Sequence, residues 1–398
     1  MVQQIYNDNK IKLIFMVNLN LMNGGGMERT LLNFIEYLPK EYKNVFDIKV
    51  IQTDLYDKIR MTEADVSDIL DRNNVEIIKL ESYNKNLFNS KIGLLNSFIN
   101  SITEKRRNKK YSKLIEDVTS KADIIYLFHN SFSSQISKGP IVIGSFHERN
   151  PNPKAYPRYK RIFIRLGLRL IKSKVLFKRI DYYHYQALNL QHYVPKNSFY
   201  IPLGIDTKKF LLNRDNENVD NIIRILFVGR LVKSKGIDMI IDVFNIIRSE
   251  GIYELHIVGS GEMEYYIKNL KINGIIYHGQ LNDEALVQLY RYCDIFVFPS
   301  QSDMYGLVVL EAIASMEYAI VNESLKGVFD DFENLNVLEY SKHNLNDIVN
   351  RIMRFKKNVN RDNEEVSFMI KEKYDWRVID KKLYNKFKEL LDMGLTNE

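Results

Sequence analysis

The chain has a single cysteine, Cys293, in 398 residues. An internal disulfide framework is thereby excluded, and this thiol usage fits a reducing compartment. Long apolar runs are missing too, since none reaches the ~18 residues that a membrane-spanning helix requires. Residues 11–22, IKLIFMVNLNLM, come nearest to a leader peptide. Asn18 and Asn20 interrupt them, however, and glycines follow where a cleavage site belongs. The segment therefore reads as a first strand, and the expected location is cytoplasmic. There is no Asp-x-Asp pair, and no His/Asp set has metal-ligand spacing. Low-complexity segments are absent, as are internal repeats beyond two similar halves. The charge excess is modest: 57 basic against 50 acidic residues leave +7. That suits an anionic partner without choosing among nucleotide, lipid head group and nucleic acid. A composition of 45% hydrophobic and 27% charged residues is that of a globular protein long enough for two domains.

Short β-branched or aromatic runs mark strands at 12–18, 46–52, 75–80, 124–128, 141–146, 181–188 and 198–201. Helical spacing intervenes at 30–38, 92–102 and 111–119, and residues 23–29 (NGGGMER) form a glycine loop after the first strand. After a polar linker at 213–221 the pattern restarts, with strands at 224–228, 255–258, 275–277 and 295–298. Helices are expected from 237, over 284–292 and from 307. Strands alternating with helices imply an α/β chain with doubly wound parallel sheets.

The stretch Asp294–Ile313 concentrates the chemistry. Its strand, Ile295–Phe298, ends at Pro299. Residues 300–305 form a polar loop, Gly306 lets the backbone approach a ligand, and a helix starts at Leu307. The unpartnered N–H groups of a first helical turn make such a junction an anion site. Two carboxylates, Asp303 and Glu311, flank it. In the segment GRLVKSKG (229–236), Arg230 and Lys235 straddle the turn after a strand, where both can reach a diphosphate.

Taken together these segments resemble the family 4 glycosyltransferases, which have the GT-B fold. The family pattern of two acids separated by seven residues stands here as Asp303, then Tyr305-Gly306-Leu307, then Glu311-Ala312. The first acid is Asp, one methylene shorter than the usual Glu. Arg230 and Lys235 match the family's phosphate pair. Gly25, Gly26 and Glu28 match its first-domain glycine loop, and His147, at the end of the 141–146 strand, matches a histidine that contacts the donor sugar. GSGE (259–262), with Gly259 and Gly261, and HGQL (278–281) match the nucleotide base pocket. Residues 202–210 resemble the lead into the second domain, with Leu203 where the family has Asn. Met316 and Ala319 stand where it prefers Gly and Pro.

The resemblance implies two Rossmann-like domains facing across a cleft. An acceptor domain would span 1–203, with a terminal helix, 376–398, packed back on it, and a donor domain would span 204–375. It also implies retaining transfer from a UDP- or GDP-sugar, without metal or cofactor. Arg230, Lys235 and the helix start near Gly306 would hold the diphosphate and Glu311 the ribose. Asp303 and His147 would act at the sugar.

One stretch stands apart. Residues 154–179 contain no acid, and Lys154, Arg158, Arg161, Arg165, Arg169 and Lys172 recur at helical spacing. At ~100° per residue these six cations share roughly 80° of arc. Such a stripe suits an anionic membrane or a lipid-linked pyrophosphate acceptor. Two other classes stay open on sequence alone: a GT-B sugar-nucleotide epimerase or hydrolase, and a basic nucleic-acid-binding protein, although no nucleic-acid motif supports the latter.

Overall fold

The structure, a computed structural model, describes residues 10–17, 20–23, 26–53, 61–80, 111–128, 136–146, 179–192, 194–211, 220–301, 303, 305–315, 318–356 and 363–395. Gly25, His147 and the whole stripe from Lys154 to Lys172 lie outside them, as do the expected helix at 92–102 and most of the linker. The chain divides into two compact units, one drawn from 1–186, 192–201 and 379–398, the other from 187–191 and 202–378.

The first unit is built on seven parallel strands: β1 (Ile11–Val17), β2 (Phe46–Thr53), β3 (Glu76–Leu80), β4 (Ile124–Leu127), β5 (Ile141–Phe146), β6 (Tyr182–Tyr185) and β7 (Ser198–Tyr200), in the order β3-β2-β1-β4-β5-β6-β7. In β1 every side chain but that of Lys12 is buried, as a two-sided parallel strand requires. Helix α1 (Gly26–Glu36) starts inside the segment expected to be loop. Thr30 Oγ1 donates to the Gly26 carbonyl at 2.7 Å, and Glu28 lies in the first turn, where the helix dipole favours an acid. Helix α2 (Glu63–Arg72) was not expected, although its signal is present. Thr62 and Asp65 form a capping box, each side chain accepting from the other's backbone N–H at 3.1 Å. The third helix, α3 (Ser112–Thr119), begins one residue after its expected start.

The second unit opens with α4 (Thr207–Phe210) and has six parallel strands: β8 (Ile223–Val228), β9 (Tyr253–Val258), β10 (Ile275–Gly279), β11 (Ile295–Phe298), β12 (Tyr318–Asn322) and β13 (Leu338–Ser341). Between them run α5 (Ile237–Ile247), α6 (Glu264–Lys268), α7 (Asp283–Tyr292), α8 (Leu307–Ala314) and α9 (Asp330–Asn334). Then follow α10 (Leu345–Arg354), α11 (Asn363–Lys373) and α12 (Trp376–Leu395). Ile225, Phe227, Leu255, Ile257, Val297 and Ile320 pack with Ile240 and Phe244 of α5 and Ile348 and Ile352 of α10 into one core.

The strand order is β10-β9-β8-β11-β12-β13. The chain therefore winds outward from β8 in one direction and from β11 in the other. The loops after β8 and β11 meet at the reversal, which is where doubly wound sheets bind ligands.

The last helix returns to the first unit. Tyr384 is fully buried there, its hydroxyl donating to the Phe34 carbonyl at 3.0 Å, and Phe387 sits 6.1 Å from the Tyr126 ring. Among the described residues no helix is long and apolar enough to cross a membrane.

Each unit buries a neutral histidine. His184 Nε2 donates to the Ile201 carbonyl at 2.8 Å, while Nδ1 accepts from the Tyr126 hydroxyl at 2.7 Å. Burial lowers its pKa to about 4. His256 stacks on His278 at 5.2 Å, and burial followed by repulsion from His278 lowers it to about 4 as well. Both folded values lie below the unfolded value of about 6.5, so the unfolded chain takes up protons first as pH falls. Stability should be full above pH 6.5 and decline toward pH 4, by about 2 kcal/mol per ring between pH 7 and 5. Urea denaturation at both pH values checks this. His184→Gln and His256→Gln should each flatten the profile, and an unchanged slope in both would refute the assignment.

Candidate functional site

The site is built where β8 and β11 end. After β8 the chain passes Gly229 and the exposed Arg230, then turns through a short 3₁₀ segment, Lys233–Lys235, to Gly236, which caps α5. Gly236 has φ +77°, and a Cβ there would lie 2.7 Å from Pro299 Cγ. No other residue allows the turn to press so closely on the end of β11. Hydroxyls fasten the neighbouring loops: Ser300 Oγ donates to the Ser234 carbonyl at 3.4 Å, and Ser324 Oγ to the Ser300 carbonyl at 3.2 Å.

This closeness brings Lys235 to Asp303. The ammonium lies 2.5 Å from Asp303 Oδ1, with the side chains only 12% and 18% exposed. Arg230 makes no ion pair with any described carboxylate. Gly306 caps α8 at φ +72°, and the helix starts at Leu307. Glu311, on the next turn, accepts at 3.1 Å from the hydroxyl of Tyr290, a fully buried α7 residue.

Tyr290 is a partner of Glu311 that sequence reasoning missed. Its one sequence-level signal is a buried-face place on α7, where a tyrosine must find a hydrogen-bond partner.

Three expected donor residues turn out to have structural duties. Tyr305 is buried, its ring 5.7 Å from Phe329 and its hydroxyl donating to the Leu203 carbonyl at 2.6 Å, so its side chain holds the loop. Gly259 and Gly261 lack side chains because backbone needs the room. A Cβ at Gly259 would lie 1.9 Å from the Gly229 carbonyl oxygen, and one at Gly261 would lie 2.6 Å from that of Leu231. Only their backbone is available to a ligand. Gly26 is different, with open space where its Cβ would be. Beside these loops His278 Nε2 lies 2.9 Å from His256 Nδ1, and Tyr277 donates to the Gly259 carbonyl at 2.9 Å. Among the described residues no three His, Cys, Asp or Glu side chains gather to hold a metal ion.

Residues 209–371, which contain this site, match the family model described as glycosyl transferases group 1. The chain is 30% identical over 191 residues to an uncharacterized glycosyltransferase of Methanocaldococcus jannaschii, covering 42% of this chain and 45% of that one. It is 31% identical over 147 residues to the capsular polysaccharide biosynthesis glycosyltransferase CapM of Staphylococcus aureus, covering 33% and 37%. The chain thus spans about half the length, or less, of these curated relatives. Among solved structures, sucrose-phosphate synthase of Thermosynechococcus elongatus aligns with a TM-score of 0.69 at 14% identity, over 96% of this chain and 100% of that one. This likeness establishes the fold, the two parallel-sheet α/β domains of GT-B glycosyltransferases.

The glycine contacts yield a stability prediction. Gly259→Ala forces a Cβ into a carbonyl and should cost roughly 2–4 kcal/mol, whereas Gly26→Ala should leave stability unchanged or slightly raised. Chemical denaturation of both variants checks this, and a Gly259→Ala protein as stable as its parent would contradict the described approach.

Proposed function

We propose that the protein is a retaining glycosyltransferase of family 4. It transfers a sugar from a UDP- or GDP-sugar to a glycan acceptor, and it is lipid-linked acceptors at the inner face of the cell membrane that the chain serves. One observation carries the reading: Lys235, from the loop after β8 that also holds Arg230, pairs with Asp303 from the loop that leads from β11 to Gly306 and Glu311, within the segment that matches group 1 transferases. Two cations, a helix N-terminus and two carboxylates carried by these adjoining segments suit a nucleoside diphosphate sugar.

The chemistry demands that negative charge on the leaving diphosphate be stabilised while positive charge grows at the anomeric carbon. Arg230, as a planar fork, and Lys235, as a point charge, take the phosphates together with the α8 N-terminus. That set needs no divalent cation or cofactor. Glu311, steadied by Tyr290, holds the ribose hydroxyls. Asp303 acts at the sugar, and the family resemblance assigns His147 to the sugar and Gly25 and Gly26 to donor binding. The likeness to CapM favours surface polysaccharide assembly as the setting.

The donor is tested by thermal shift against a panel of nucleotide sugars, where saturation at 100 times the dissociation constant adds about 2.7 kcal/mol. Arg230→Ala and Lys235→Ala should each fold normally and lose ~2–4 kcal/mol of transition-state stabilisation, roughly 30- to 1000-fold in rate. Near-normal transfer by both would overturn the donor site. Turnover of donor without acceptor would point instead to an epimerase or hydrolase.

The membrane part rests on the stripe of Lys154, Arg158, Arg161, Arg165, Arg169 and Lys172. Each cation near an anionic surface contributes ~1 kcal/mol, enough in sum for reversible attachment at low salt. Reversing Arg161, Arg165 and Arg169 to Glu should release the protein from anionic liposomes and impair use of a lipid-linked acceptor, with donor binding unchanged. A triple variant that still sediments with liposomes and still uses that acceptor removes this part of the proposal.

A further inference from the structure

The donor cradle contains a pairing that its proposed role does not require. Lys235, cast as a phosphate ligand, is already neutralised by Asp303 at 2.5 Å. The pair is built rather than fortuitous. Lys235 comes from a turn held against Pro299 by the absent side chain of Gly236, and Asp303 from a loop fastened to that turn through Ser300. Both side chains are largely enclosed. The other carboxylate oxygen of Asp303, Oδ2, is enclosed without a hydrogen bond among the described residues. Arg230, one turn earlier, is exposed and pairs with no described acid.

Two cations assigned to one diphosphate thus start from different states. Arg230 can meet the donor directly, whereas Lys235 must either leave Asp303 or bind phosphate while still attached to it. The second course sets a carboxylate against a phosphate across one ammonium, and like charges a few ångströms apart in a partly enclosed site repel. Lysine suits the first course. Its ammonium is a point charge on a flexible four-carbon stem, with no planar fork to realign.

Resting on the donor-site reading above, we propose that Asp303 is an exchangeable counter-ion of Lys235. The carboxylate holds the lysine until the donor arrives, the diphosphate then displaces it, and the released carboxylate turns to the sugar hydroxyls. On product departure Asp303 recaptures the ammonium, so Lys235 changes partner twice per turnover. The carboxylate therefore competes with nucleoside diphosphate for one cation. It weakens product binding and at the same time readies the group that contacts the sugar.

The test measures UDP and GDP binding by calorimetry to the full chain, to Asp303→Asn, to Lys235→Met and to the double variant. Asp303→Asn keeps the size of the side chain and removes its charge. It should bind the nucleoside diphosphate about tenfold more tightly than the parent while transferring sugar more slowly. In the Lys235→Met background the same change should alter affinity by less than about twofold, because the group competed for is gone. Unchanged or weaker binding by Asp303→Asn overturns the proposal, leaving the pair a fixed structural contact. Equal tightening with and without Lys235 also overturns it, since Asp303 would then act only as a background charge. If the parent chain binds neither nucleotide, the donor-site reading fails and this inference falls with it. Binding by the parent alongside either of the other two results removes the inference alone.

Discussion

Close backbone approach at the ends of β8 and β11 is the constraint on which the second unit depends. At Gly259 a single added carbon would stand 1.9 Å from a carbonyl oxygen, and at Gly236 it would stand 2.7 Å from a proline ring. Interiors packed to crystal-like density have no slack to absorb such an atom. The absent side chains let the loops after β8, β9 and β11 touch one another, and the serine hydroxyls then fix their spacing. The same compactness gives the charged groups their positions. Lys235 and Asp303 follow different strands, β8 and β11, and meet only because their loops are in contact.

Electrostatics follows from that geometry. A cation beside solvent is screened, whereas one enclosed between loops acts at a lower effective dielectric and is felt more strongly by its neighbours. Arg230 and Lys235 exemplify the two situations in one turn. Glu311 is set differently again, by a neutral hydroxyl donor from the helix packed beside it. The Tyr290 hydrogen bond restricts the orientation of that carboxylate.

Much of this was legible in the sequence where local chemistry dictates structure. Ile295–Phe298 is an uninterrupted apolar run closed by Pro299, and it forms β11 over those residues. Gly306 followed by helically spaced Leu307, Leu310 and Ile313 gives α8 at its expected start. Boundaries blurred where a cap outweighs composition. Three glycines suggested a loop through Arg29, yet Thr30 and Glu28 carry α1 back to Gly26. At α2 the capping box was present, but the short helix carries few apolar residues to announce it. Long-range pairings were not legible. Nothing near Lys235 in sequence names Asp303 as its partner, nor does anything near Glu311 name Tyr290. Tyr305 shows the converse, because a motif position that suggested ligand contact has its side chain committed to Leu203. Pattern reading locates groups that act through their own neighbourhood, whereas contacts across 68 or 21 residues come from sheet topology.

The return of the last helix to the first unit bears on how the protein is made. Phe34 and Tyr384 share a hydrogen bond across 350 residues, and Phe387 joins the same aromatic cluster around Tyr126. A ribosome working from the amino end produces seven strands whose core lacks these rings until the helix at 376–395 has emerged. The second unit, uninterrupted from 202 to 378, has every residue it needs before that moment. The unit synthesised first is therefore the one completed last. Until then Tyr42, Phe46 and Tyr126 lack the rings of Tyr384 and Phe387 that pack on them, and apolar surface exposed in this way makes a partly made domain prone to aggregate.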